Sequence, residues 1–121
     1  MLLCFAVFEC AVSPTGDKLY ITSKFDKLLT LARNGTLLAT LTDPDLYLPH
    51  GIHVTPAGQV LLCGGVPQAI LQVGGKGRRK LATLATHKDG VRSPLVVCYS
   101  GSTSSIIVGQ NGDNILVLRV K

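Results

Sequence analysis

A chain of 121 residues has room for one ordinary domain and too little for two. It is 46% apolar and 16% charged, with 13 glycines, a composition that excludes a disordered segment. The formal charge of +5 is a modest excess, permitting an anionic partner without requiring one.

The chain opens on eight apolar residues, Met1 to Phe8, ended by Glu9. That run has no basic segment before it and is shorter than a membrane-spanning helix needs, so a strand is the better reading. No membrane association is expected. The four cysteines (Cys4, Cys10, Cys63, Cys98) form no C-x-x-C pair. Apolar neighbours such as Leu61-Leu62-Cys63 and Val96-Val97-Cys98 predict buried, reduced thiols and a cytoplasmic setting.

From there the chain reads as short apolar bursts separated by turn residues. Bursts at 8–13, 18–22, 27–32 and 36–42 are split by Pro14-Thr15-Gly16 and by Arg33-Asn34-Gly35. Asn-Gly is a strong hairpin signal, and five to seven residues is the usual strand length. No segment carries helical three-and-four spacing. The plan then repeats at 51–55, 59–63, 69–73 and 80–85, with Val12 falling on Val54, Pro14 on Pro56, Gly16 on Gly58 and Leu19 on Leu61. Leu81-Ala82-Thr83-Leu84 also echoes Leu38-Ala39-Thr40-Leu41. A third copy has strands near 95–99, 105–109 and 114–120, with Pro49 matching Pro94, Cys63-Gly64 matching Val108-Gly109, and Ile70 matching Ile115. Strand repeats of about 40–45 residues mark propeller blades. The expected fold is therefore all-β: three consecutive antiparallel four-stranded blades at 5–43, 49–85 and 94–121, the last without its outer strand. Blade faces should pack on one another, which accounts for strands apolar on both sides, such as Val60-Leu61-Leu62-Cys63.

Three motifs give this pattern a family likeness: Val-Ser/Thr-Pro-x-Gly at 12–16 and 54–58, Pro-His-Gly-Ile-His-Val at 49–54, and Gly-Asp-Asn-Ile-Leu-Val-Leu at 112–118. With them the chain resembles the NHL repeats that form six-bladed propellers at the C-terminus of many tripartite-motif proteins. The Asp usual after the second strand is replaced by Thr22-Ser23, Gly64-Gly65 and Gly109-Gln110, and Gly74-Gly75 stands where a polar pair is usual. The resemblance implies a partial six-bladed propeller whose N-terminal blades are missing. It also implies a noncatalytic, substrate-recruiting part of a ubiquitin ligase, binding a protein substrate or adaptor. The RING finger, B-boxes and coiled coil that carry ligase activity in that family have no counterpart in these residues. Flanking blades with bare faces and edges predict poor solubility for the chain alone.

Strand alternation places the turns between strands 1–2 and 3–4 at a first end, and those between strands 2–3 and successive blades at a second. The first end holds Lys18, Arg33, Lys76, Arg78, Arg79, Lys80 and Lys121 against Asp17; the second balances Lys24, Lys27, Lys88 and Arg92 against five Asp. The run Lys76, Arg78, Arg79, Lys80 is thus a candidate anion contact, or simply a solvated hairpin. Partner binding is expected at the second end, through Lys24, Tyr47, His50, Lys88 and Arg92. The RNA-reading relatives use that second end, as the resemblance implies. Its near-neutral balance and the absence of Trp make sequence-selective RNA binding the weaker expectation.

His50 and His53, three apart in an extended segment, point to opposite faces and make a poor metal pair. A lactonase-like hydrolase needs several oxygen ligands around a cation, whereas the chain has one Glu, and its Asp residues fall in turns. Ser100 to Ser105 forms no nucleophile elbow, and Gly74-Gly75-Lys76-Gly77 lacks phosphate-loop spacing. No cofactor, metal or catalytic residue is expected.

Overall fold

A computed structural model describes residues 7–23, 26–64, 66, 68–112 and 114–119. They form eleven strands and, among the described residues, no α-helix. The first sheet is β1 (Val7–Val12), β2 (Lys18–Ser23), β3 (Lys27–Ala32) and β4 (Leu37–Thr42). The second is β5 (Ile52–Val54), β6 (Val60–Gly64), β7 (Ala69–Val73) and β8 (Lys80–Thr86). The third is β9 (Pro94–Ser100), β10 (Ser105–Gln110) and β11 (Ile115–Arg119). Each sheet pairs its strands antiparallel in chain order. Single-turn 3-10 segments, Pro44–Leu46 and His87–Asp89, interrupt the two connections between sheets. β1 touches β5 and β5 touches β9, so the first strands of successive sheets gather on the inside. The chain is a partial β-propeller.

The repeated Ser/Thr-Pro-x-Gly motif has a physical reason. Ser13 and Thr55 each accept the N–H that opens the next strand, Lys18 N to Ser13 Oγ at 3.1 Å and Gln59 N to Thr55 Oγ1 at 3.2 Å. Gly16 (φ +76°) and Gly58 (φ +86°) adopt the left-handed backbone that lets their own N–H close the turn on the Ser13 and Thr55 carbonyls.

One correspondence slips. Val12 pairs with Leu19 but Val54 with Val60, because Asp17 lengthens the first turn by one residue. Its carboxylate accepts Ser13 Oγ and Thr15 Oγ1. Hydrogen bonds from Thr15 and Ser13, with Lys18 nearby, hold it below the usual carboxylate range. Structurally Leu19 therefore matches Val60, not Leu61, and Tyr20 matches Leu61. The third copy also slips: Cys63 faces Ile70 across its sheet as Gly109 faces Ile115, so Cys63 matches Gly109, not Val108.

The slip decides which side chains meet. Across the seam between blades one and two, Tyr20, Leu28, Leu41 and Leu46 pack on Val60, Leu62, Leu71 and Val73. Across the seam between blades two and three, Leu61, Cys63, Ile70 and Val91 pack on Val97, Ile106 and Val108. Alternate residues of β6 serve opposite seams, as their apolar run requires. Each such Leu, Val or Ile contributes about 1.5–3 kcal/mol when fully buried. Near the inside the backbones almost touch. A Cβ on Gly51 would lie 2.7 Å from the Leu95 carbonyl oxygen and 2.8 Å from Val96 Cα, so no larger residue fits there.

The cysteine expectation holds only in part. Cys63 is fully buried, and burial pushes its thiol up to about 12, but Cys10 and Cys98 are exposed. Both lie on the outer faces of the flanking blades, opposite the Tyr20 and Ile106 faces, where no described blade covers them.

Candidate interaction surfaces

At the second end the two connections between blades are built alike, 45 residues apart. Each begins with a short 3-10 turn. Asp43 Oδ1 accepts the Asp45 N–H at 2.9 Å in the first; in the second, Thr86 and Asp89 form a capping box, with Thr86 N donating to Asp89 Oδ2 at 2.9 Å. A fully buried side chain then plugs the adjacent seam, Leu46 in one and Val91 in the other. The next residue is large and exposed: Tyr47, then Arg92. After it comes a non-glycine residue in the left-handed region, Leu48 (φ 53°) or Ser93 (φ 44°), and then Pro49 or Pro94. Such backbone costs on the order of 1 kcal/mol per residue and persists only where its surroundings hold it.

Those surroundings are hydrogen-bonded. Val66 N donates to Tyr47 O (3.0 Å), and His50 N to Cys63 O (2.9 Å). Arg92 N donates to Gln110 Oε1 at 2.5 Å, and its guanidinium to the carbonyls of His87 and Val91. Tyr47 and Arg92 are thereby displayed from fixed backbone. Between the two connections opens a cleft of about 270 Å³ lined by Asp45, Gln68, Thr83, Thr86, His87 and Lys88. The structure thus brings Lys88 into a cleft, displays Tyr47 and Arg92, and half-buries His50. Lys24 lies outside the described residues.

The first end differs from its expected tally. Lys76, Arg78 and Arg79 are exposed and make no ion pair among the described residues; with Leu81 and two glycines they line a cleft of about 390 Å³. Lys80 leaves the run. Its Nζ lies 2.7 Å from Asp45 Oδ2 and 3.7 Å from Asp43 Oδ1, and the Asp45 hydrogen bond raises its pKa. A lysine whose charge two carboxylates already meet is a poor anion ligand, so the candidate contact contracts to three cations. Sequence distance hid this pair, which spans 35 positions.

A third cleft, about 350 Å³, opens in the seam between blades two and three, lined by Gln59, Leu61, Gln72, Leu84, Tyr99 and Ile106 among others. Gln72 donates to Gln59 Oε1 at its rim. His53 is half-buried, and burial lowers its pKa. Among the described residues no three His, Cys, Asp or Glu converge on one metal position, and no helix is long and apolar enough to cross a membrane.

The fold defines the class: a partial β-propeller with solvent-facing loops at both ends. No family model and no curated protein matches the chain. Among solved structures it is similar to a protein of unknown function from Bacteroides caccae, with a TM-score of 0.59 and 15% identity over 100% of this chain. At that identity the likeness concerns the fold alone. The chain spans 48% of that protein's length.

Proposed function

We propose that the chain is a noncatalytic protein-interaction platform, and within that class the substrate-recruiting part of a tripartite-motif ubiquitin ligase. The observation that supports the platform is the repeated display at the second end. A buried plug and a left-handed residue, set in hydrogen-bonded backbone, bracket one exposed Tyr or Arg in each connection. Tyr and Arg are the residue types enriched at binding hot spots, and a pre-set backbone lowers the ordering cost of association. The ligase reading rests on the motif resemblance, and its partner would be a protein substrate or adaptor. Ligase chemistry would belong to a RING finger outside these residues, so sequencing the full transcript tests it.

The platform is tested by quantitative affinity capture from its own cells. Proteins retained by the wild type should be lost on Tyr47→Ala and on Arg92→Ala, each weakening binding by about 2 kcal/mol, roughly 30-fold. They should persist on Arg78→Glu. Loss on Arg78→Glu with retention on the other two would overturn the second-end reading.

One observation favours the RNA alternative, though at the other end: three cations on a single turn with no ion pair among the described residues. If that reading holds, single-stranded RNA affinity falls steeply with salt and drops on Arg78→Glu.

A further inference from the structure

The two seams show what a blade face requires, and both flanking blades carry the same requirement on their outer sides. On the third sheet, Val96, Cys98, Ile107, Ile115 and Val117 point away from the second blade, because their neighbours Val97, Ile106, Leu116 and Leu118 pack towards it. Val96, Ile115 and Val117 remain 58%, 71% and 59% exposed. On the first sheet the opposite outer face holds Cys10, Val12, Leu19, Ile21, Leu29 and Leu31, since Tyr20, Leu28 and Leu41 face the second blade. Leu29 and Leu31 are already buried there, at 9% and 6%, while Val12 is 54% exposed and Cys10 is also open, so the bare part of that face is its inner strand. A solvent face of an antiparallel sheet carries polar side chains; these rows are apolar. One copy therefore presents two unlike blade faces, each of the kind its own seams bury.

We propose that a second copy of the chain covers them, the third blade of each copy stacking on the first blade of the other, so that two copies close one ring. The stoichiometry follows from the blade count. Closed propellers have about four to eight blades, and six is the multiple of three in that range. A head-to-tail contact between unlike faces gives a ring when its rotation closes and a filament when it does not. The solved structure of similar fold, of whose length this chain spans 48%, holds about two such lengths in one polypeptide. The area suffices as well. Three strands of five residues present roughly 240 Å² at the usual spacing and rise. A closed pair buries four such faces, on the order of 1,000 Å², where specific interfaces begin. The inference concerns blade faces, not end loops; it is independent of the platform reading, but it competes with the upstream blades that the motif resemblance implies, and a transcript encoding those blades would overturn it.

Two cysteines allow a direct test, because Cys98 sits on the first strand of the third sheet and Cys10 on that of the first, each on its outer face. The wild-type chain should run in light scattering at twice 12.8 kDa. A short bismaleimide should join Cys10 of one copy to Cys98 of the other, mapped by peptide mass spectrometry. Val117→Glu, altering an already exposed side chain, should leave the circular dichroism spectrum unchanged while shifting the mass to 12.8 kDa and abolishing that cross-link. A wild type that stays monomeric in light scattering at the highest protein concentration it tolerates overturns the proposal. So does a Cys98–Cys98 product, which would mean like faces meeting. A ladder of larger species or bulk aggregation also counts against it, since a closed ring leaves no blade face bare. Should Val117→Glu unfold, Ile115→Lys on the same face replaces it, and the cross-link on wild type is unaffected.

Discussion

Equivalent strands build both seams of this molecule, yet they are filled by different chemistry. The seam between the first two blades takes an aromatic ring: Tyr20 is buried and its phenol donates to the Gly75 carbonyl at 2.6 Å, tying blade one to a turn of blade two. Burial also raises the pKa of that phenol. Thr30 is buried on the same side, and its hydroxyl has no hydrogen-bond partner among the described residues. At the second seam Leu61 stands in the place of Tyr20, and the 350 Å³ cleft opens beside it. The backbone scaffold thus specifies that apolar rows meet, and leaves shape and polarity to each pair of blades.

The largest effect should come from Leu62→Ala, which empties a fully buried site in the first seam and should cost about 2–5 kcal/mol in denaturant unfolding. Leu61→Ala should fall at the lower end of that range, because its surroundings already hold open space; equal losses would break the contrast. Next comes Thr30→Val. It keeps the shape and removes the unpartnered hydroxyl, so it should stabilise by about 1–2 kcal/mol, and a loss would mean the hydroxyl has an unseen partner. Tyr20→Phe deletes one hydrogen bond and should cost about 1 kcal/mol.

The smallest effect concerns His53, which turns towards the second seam while Ile52 and Val54 face the first. Burial lowers its folded pKa below 6.5, so the unfolded chain takes up the proton first as pH falls. That contribution is complete well above pH 6.5 and is lost as pH drops through the folded value, with a slope below about 1.4 kcal/mol per pH unit. Stability measured from pH 8 to 5 should decline less steeply for His53→Gln.

Much of the fold was legible because turns and alternation are local. β3 and β7 fall where the bursts at 27–32 and 69–73 place them, and the Asn34-Gly35 hairpin is present, with Asn34 Oδ1 accepting the Thr36 N–H. The slip at Asp17 was not legible: the Pro-x-Gly motif aligns cleanly, and the extra residue follows it. Tyr47 and Arg92 could be chosen as exposed loop residues, but their equivalence depends on the buried Leu46 and Val91 beside them. The 3-10 turns are too short for periodicity to reveal. The Lys80 ion pairs and the exposure of Cys10 and Cys98 depend on which chain segments become neighbours, and local spacing carries no record of that.

The extra residue at Asp17 has an evolutionary consequence. In a sheet with one wet side, shifting a strand by a single position turns it inside out and is ruinous. Here both sides of a strand such as β2 or β6 are greasy, so either parity can be buried and the insertion is absorbed. A repeat of this kind can gain or lose turn residues while its ancestry becomes unreadable, keeping its shape where its letters no longer align.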